Sequence, residues 1–269
     1  MNPFLFFLLA IGGTWLFWLV PIVFGWDIWR NPGTWFLYAG GACVPLAGLA
    51  LAHRAGTLRD LMRRVIDPRL IKLRWWLIIV LLVPVAHLLS NALAAALGAQ
   101  PAILQLSSAA TRPWPALLGL GMFLLILGPL PEEIGWRGYA LPALLERTCA
   151  LYATLTLGAL WCLWHVPLYF MAGYYERFGG APEPLLFFGN ILIVSFFYTW
   201  IFRHTKGSVL AAVLFHFLIN FTGEVLMLSA TAEWIKTCLF ACAAFAIMWC
   251  EWPDWRPRGK GELRSDLRA

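Results

Sequence analysis

Pro129-Leu130-Pro131-Glu132-Glu133-Ile134-Gly135-Trp136-Arg137-Gly138 places two carboxylates and a guanidinium inside a run that is otherwise apolar from Ala116 to Leu145. A helix rises about 1.5 Å per residue, so about 20 residues already cross a bilayer. The run is too short to hold two full spans with a loop between them, which puts Glu132 and Glu133 at membrane depth. A charge at that depth costs about 2.5 to 3.5 kcal/mol on insertion scales, so ionisable residues there are candidates for function.

The rest of the chain agrees with a membrane setting. Of 269 residues, 61% are hydrophobic and 13% charged, where a soluble domain carries about 25% charged, and the mean hydropathy is +0.73. These values exclude a soluble globular fold and assign an all-α, polytopic integral membrane protein. Met1-Asn2-Pro3 brings no basic segment ahead of its long apolar stretch, so that stretch reads as a first span and not as a cleaved signal peptide. The formal charge of +6 fits loops held against anionic lipid headgroups, with membrane lipid as the partner and no nucleic acid. Six cysteines without C-x-x-C spacing read as small apolar residues.

Hydropathy predicts eight spans: Phe4 to Phe24, Trp35 to Leu51, Trp75 to Leu97, Ala116 to Leu145, Leu151 to Met171, Leu185 to Phe202, Val209 to Leu228 and Ile235 to Trp249. Of the 20 Lys and Arg, 16 lie with the even-numbered loops and the tails, counting Arg137 with the loop that follows its span, and four lie on the other side. By the positive-inside rule both termini face the cytoplasm, which suits a multi-pass protein of the cytoplasmic membrane. Residues 1–252 then form a single transmembrane helical domain. Residues 253–269, with Pro253, Pro257, Gly259 and Gly261 among charges, read as a basic, disordered cytoplasmic tail. In the basic second loop, Leu58, Leu61, Met62 and Val65 recur at helical spacing among arginines. That pattern fits either a short interfacial helix or a plain stop-transfer cluster.

Ionisable and amide side chains gather on three spans: Glu132, Glu133 and Arg137 on the fourth, His165 on the fifth, His216 and Asn220 on the seventh. Glu133 and Arg137 are four residues apart, one helical turn, so the guanidinium can neutralise that carboxylate. Glu132 remains as the unpaired acid, the kind of group that serves as a general base. His165 lies about 22 Å into its span from the cytoplasmic side and can meet Glu132 only at depth. His216 and Asn220 share a helix face, where an imidazole and an amide can be aimed at a developing oxyanion. Glu224 continues their stripe. His87 and Asn91 repeat the same spacing on the third span with no acid beside them, and read as helix packing. Asn190 and Gln105 read as structural, and His53 and His204 as headgroup contacts.

Glu-Glu-x-x-x-Arg at Glu132 to Arg137, an aromatic-x-x-x-His at Trp161 to His165, and His-x-x-x-Asn at His216 to Asn220 follow one another on successive apolar spans. In that order they resemble the CPBP family, the group of type II CAAX prenyl proteases and bacteriocin-processing or self-immunity proteins. The similarity covers roughly residues 115 to 225 and extends to the count of eight spans. The family's second motif usually begins with Phe, and Trp161 stands there instead. The resemblance implies an intramembrane endopeptidase acting on peptides or membrane-anchored, lipidated proteins. Glu132 and His165 would activate a water, His216 with Asn220 would stabilise the oxyanion, and Glu133 with Arg137 would support Glu132. Both a metalloprotease and a metal-free glutamate-dependent mechanism are open to such a site. Glu132, His165 and His216 would supply a carboxylate and two imidazoles if a zinc ion were used, as catalytic zinc requires.

Peptide hydrolysis at this depth needs a hydrated cavity between the fourth, fifth and seventh spans. It is expected to be lined by Glu132, His165, His216 and Asn220, with its mouth on the basic, cytoplasmic side. Two other classes fit the composition. One is a proton-coupled transporter using the same Glu and His as a relay; the other is a non-catalytic membrane scaffold or self-immunity protein that kept the fold.

Overall fold

The computed structural model describes residues 1–99, 106–176 and 179–256. Among them the chain is helical, and the one strand-like feature is an isolated antiparallel bridge between Leu106 and Leu226. The helices are α1 (Pro3–Phe24), α2 (Gly33–Arg54), α3 (Leu58–Ile66), α4 (Leu73–Ala96), α5 (Trp114–Leu145), α6 (Ala150–Phe170), α7 (Pro184–His204), α8 (Val209–Val225), α9 (Ala230–Cys250) and the short α10 (Trp252–Trp255). Seven of them (α1, α2, α4, α5, α6, α7 and α9) are long and apolar enough to cross a membrane. At 17 residues α8 is about 25 Å long, and it brings the bundle to roughly the eight expected. Phe4, Leu16, Trp114 and Trp249 point outward. Lipid, being as apolar as these side chains, leaves them at no cost.

Helix α5 is two pieces with different surroundings. Its first part, Trp114–Leu127, is peripheral, with Gly121 its one buried residue. The chain breaks at Gly128 (φ −120°, ψ −91°) and restarts at Pro129–Gly135. It then widens into a π-helical turn at Trp136–Ala140, all of whose residues are buried. Such single π turns collect at functional sites. The second piece lies against α2 and α8. A Cβ on Gly135 would stand 2.7 Å from the Val44 carbonyl oxygen, so only glycine lets the two backbones approach this closely.

Helix α3 resolves the two readings of the basic loop. Leu61 and Val65 are buried while Arg59 and Arg63 are exposed, the arrangement of a helix lying along the bundle's end. Arg64 bonds Asp60 at 2.8 Å and the Gly138 carbonyl at 3.0 Å, tying this helix to the π turn. Two expectations need correction. The sequence reads as a disordered tail from residue 253, but Trp252–Trp255 forms a helical turn with Trp255 fully buried and packed on Phe196. An indole that size outweighs the flanking charges; residues 257–269 lie outside the described residues. His204 is no headgroup contact: its ring sits on Trp75, and its Nε2 lies 3.4 Å from Glu251 Oε1.

Candidate active site

The second piece of α5, the C-terminal half of α6 and the middle of α8 bring all six sequence-predicted residues together. Glu133 is the hub of one set. Its Oε1 accepts from Arg137 Nη1 at 2.9 Å and lies 2.8 Å from His216 Nδ1, and Glu133 and Arg137 are fully buried. A carboxylate can only accept here, so His216 carries its proton on Nδ1 and turns Nε2 away from Glu133. The guanidinium of Arg137 lies 3.7 Å from the centre of the Tyr198 ring and 4.4 Å from that of Trp161. These aromatic faces replace water around a cation held in a dry interior.

Trp161 is the hub of the second set. Its indole N–H donates to Glu132 Oε2 at 3.1 Å. Its ring lies 5.5 Å from that of His216 and 5.6 Å from that of His165, edge-on or tilted to each. The motif requires only an aromatic ring at this position. The structure gives it a polar contact that a phenyl ring lacks. His165 closes the set from the end of the α-helical part of α6, where Pro167 tightens the chain into a 3-10 turn. Its Nδ1 donates to the Trp161 carbonyl at 2.8 Å, which leaves Nε2 as a bare acceptor. Asn220 sits one turn beyond His216, beside the α5 break: a Cβ on Gly128 would lie 3.9 Å from Asn220 Nδ2.

A cavity of about 450 Å³ joins these groups, within the usual range of sites for small ligands. Trp161, His165, Tyr198, His216 and Asn220 line it, and Glu132 reaches that wall through its bond to Trp161. Glu224 is not in the lining; its backbone carbonyl accepts from Ser107 instead. Asn190 and His87 border the cavity while keeping structural partners: Asn190 donates to the Leu186 carbonyl and accepts from Thr237 of α9, and His87 bonds the Val83 carbonyl. One further expectation changes. The cavity also runs to Pro182, Glu183 and Glu233, at the starts of α7 and α9, which is the end of the bundle opposite the basic loops. The expected mouth on the basic side is therefore not where the lining leads, which is between α4, α7, α8 and α9.

The donor set suggested for zinc does not form a cage. Among the described residues no three His, Cys, Asp or Glu side chains are grouped so that they could hold a metal ion. Glu132 is turned to the indole N–H of Trp161. No step below is routed through a metal.

Comparison with known proteins bears on this geometry. A family model described as type II CAAX prenyl endopeptidase, Rce1-like, matches residues 112–222, the stretch from the start of α5 to the end of α8. A CAAX prenyl protease 2 from Methanococcus maripaludis is 30% identical over 259 residues, covering 92% of this chain and 94% of the relative. The chain belongs to the type II CAAX prenyl endopeptidase family. Membership supports an endopeptidase, and the apolar helices make it a multi-pass membrane protein. As a member of the type II CAAX prenyl endopeptidases, the chain departs from the usual second motif at Trp161.

Proposed function

We propose that the protein hydrolyses peptide bonds in membrane-associated or lipidated substrates, with Glu132, His165, His216 and Asn220 as its catalytic residues. The observation that carries this reading is the convergence of Glu132, His165 and His216 on the single ring of Trp161 beside one cavity. Glu132 takes a proton from a water that His165 Nε2 also holds, and the water oxygen adds to the substrate carbonyl carbon. The carbonyl oxygen becomes an oxyanion facing Asn220 Nδ2 and His216 Nε2. For His216 to donate there it must carry protons on both nitrogens, and Glu133 supplies the countercharge. Collapse of the adduct breaks the C–N bond, and the proton taken by Glu132 passes to the departing amine. Arg137 pairs with Glu133 and keeps it aimed. The basic loops orient both termini toward the cytoplasm in this reading.

The test is cleavage of a quenched peptide library by purified protein in lipid vesicles, wild type beside Glu132→Ala. Turnover by the wild type alone is expected. Equal signals from both would leave the chain a scaffold or self-immunity protein. Proton flux in the absence of cleavage would favour a transporter.

A further inference from the structure

The cavity has a polar wall that the chemistry above leaves unused. Lys236 is the one Lys or Arg among the described residues lining it, six residues into α9 and so about 9 Å from the start of that helix. Its neighbours Trp234 and Cys238 are exposed on the outside of the bundle. A lysine so placed usually extends its ammonium toward the interface. This one turns inward, with 14% of its side chain accessible, and holds Glu233 Oε2 at 2.7 Å. Glu233 is more open, at 37%, and is the partner able to swing out to water. His87 lies on the same wall; its Nδ1 is bonded to the Val83 carbonyl at 3.0 Å, which leaves Nε2 toward the cavity. The α7 side of the cavity runs from Glu183 to Tyr198, about 22 Å of helix. At about 3.3 Å per residue that length accommodates an extended segment of several residues.

We infer that Lys236 is a specificity residue that binds a carboxylate of the substrate peptide lying in this cavity, taking it in exchange for Glu233. An ammonium kept inside an apolar span is costly unless it has an anionic partner. Exchange of one carboxylate for another leaves that pairing intact while Glu233 regains water. Among the described residues, the cation at the catalytic groups, Arg137, is committed, since it is sealed beneath Trp161 and Tyr198. The inference rests on the endopeptidase reading and names what that site selects.

Three matched peptides distinguish the source of the carboxylate: one with a free C-terminal acid, one with a C-terminal amide, and one amidated but carrying an Asp side chain near its end. Wild-type kcat/KM is expected to favour the free acid over the plain amide by about tenfold or more, the size expected of a hydrogen bond to a charged group. In Lys236→Met that ratio falls toward one, through KM and not kcat. Lys236→Arg restores it, and Glu233→Gln, which removes the competing carboxylate, raises it above wild type. If the Asp peptide alone is favoured, the carboxylate read is a side chain and not the chain end. Cleavage of all three at equal efficiency by the wild type, or an acid preference that survives in Lys236→Met, overturns the inference and leaves the endopeptidase standing. If the wild type cleaves none of the peptides, both fall together. Should Lys236→Met fold poorly, Lys236→Met with Glu233→Gln removes the stranded carboxylate and reads the same ratio.

Discussion

Helices α4 and α8 each carry a histidine and an asparagine four residues apart, and both histidines line the same cavity. His87 gives its Nδ1 to the Val83 carbonyl of its own helix, and Asn91 donates to the Met227 carbonyl at 3.1 Å. His216 instead gives its Nδ1 to Glu133, 83 positions earlier in the chain, and Asn220 stands by the gap in α5. The spacing puts two polar groups on one face and decides nothing more. An acidic partner from another helix makes the difference: it fixes the ring of His216 and can balance a second proton on it, where a backbone carbonyl does only the first.

The sharpest way to break the comparison is to remove the base that only the α8 side serves. Glu132→Gln is expected to lower kcat by about 10² to 10⁴, the usual worth of a positioned base. Adding His216→Ala should cost little more, because groups acting as a unit lose most with the first removal. Near-wild-type turnover by Glu132→Gln would exclude it as the base. Next in size is Arg137→Ala, which strands the buried Glu133 and should destabilise the protein by about 3 to 5 kcal/mol. Thermal unfolding in detergent should therefore place Arg137→Ala well below His165→Ala, and equal midpoints would contradict the pairing.

Asn220→Ala tests the other half of the motif and is expected to lower kcat by about 10² to 10³ with little change in KM, as loss of one oxyanion donor does. Asn91→Ala is its control, with turnover within about twofold of wild type and a loss of stability of about 1 to 3 kcal/mol from the unpaired Met227 carbonyl. If the two variants behave alike in steady-state assays, the distinction between the helices fails. The smallest catalytic effect is reserved for Trp161→Phe. This change keeps the ring contacts and deletes the N–H that holds Glu132, and a drop in kcat of about tenfold is expected. An unchanged kcat would reduce Trp161 to a wall.

The sequence makes the six polar residues visible because each is out of place in an apolar span, and length alone forces them to one depth. Their partnerships are less legible. The turn-spaced pair Glu133 and Arg137 can be read from i, i+4 geometry, whereas the bond from Glu133 to His216 depends on how α5 and α8 pack. Trp161 hides because an aromatic is ordinary in a span, and its polar atom matters only once Glu132 is known to face it. Lys236 hides for a different reason. A hydropathy boundary at Ile235 treats it as a flanking charge, while Ser229 caps α9 and begins the helix at Ala230. Loop charge does not reveal the cavity's direction, because it reports orientation in the membrane and carries no information about where helices splay.

The break in α5 has one more consequence, seen by counting donors. A helix that starts inside hydrocarbon presents four backbone N–H groups with no intrahelical acceptor, and each one left bare there costs several kcal/mol. At this start the residues are Gly128, Pro129, Leu130 and Pro131. The two prolines have no N–H at all, and that of Gly128 is taken by the Leu124 carbonyl at 3.1 Å. Leu130 alone keeps an open donor. The Pro-x-Pro that precedes the acidic pair thus lets a helix begin within the span with a quarter of the usual exposure, and any other residue at 129 or 131 would add a hydrogen in need of an acceptor of its own.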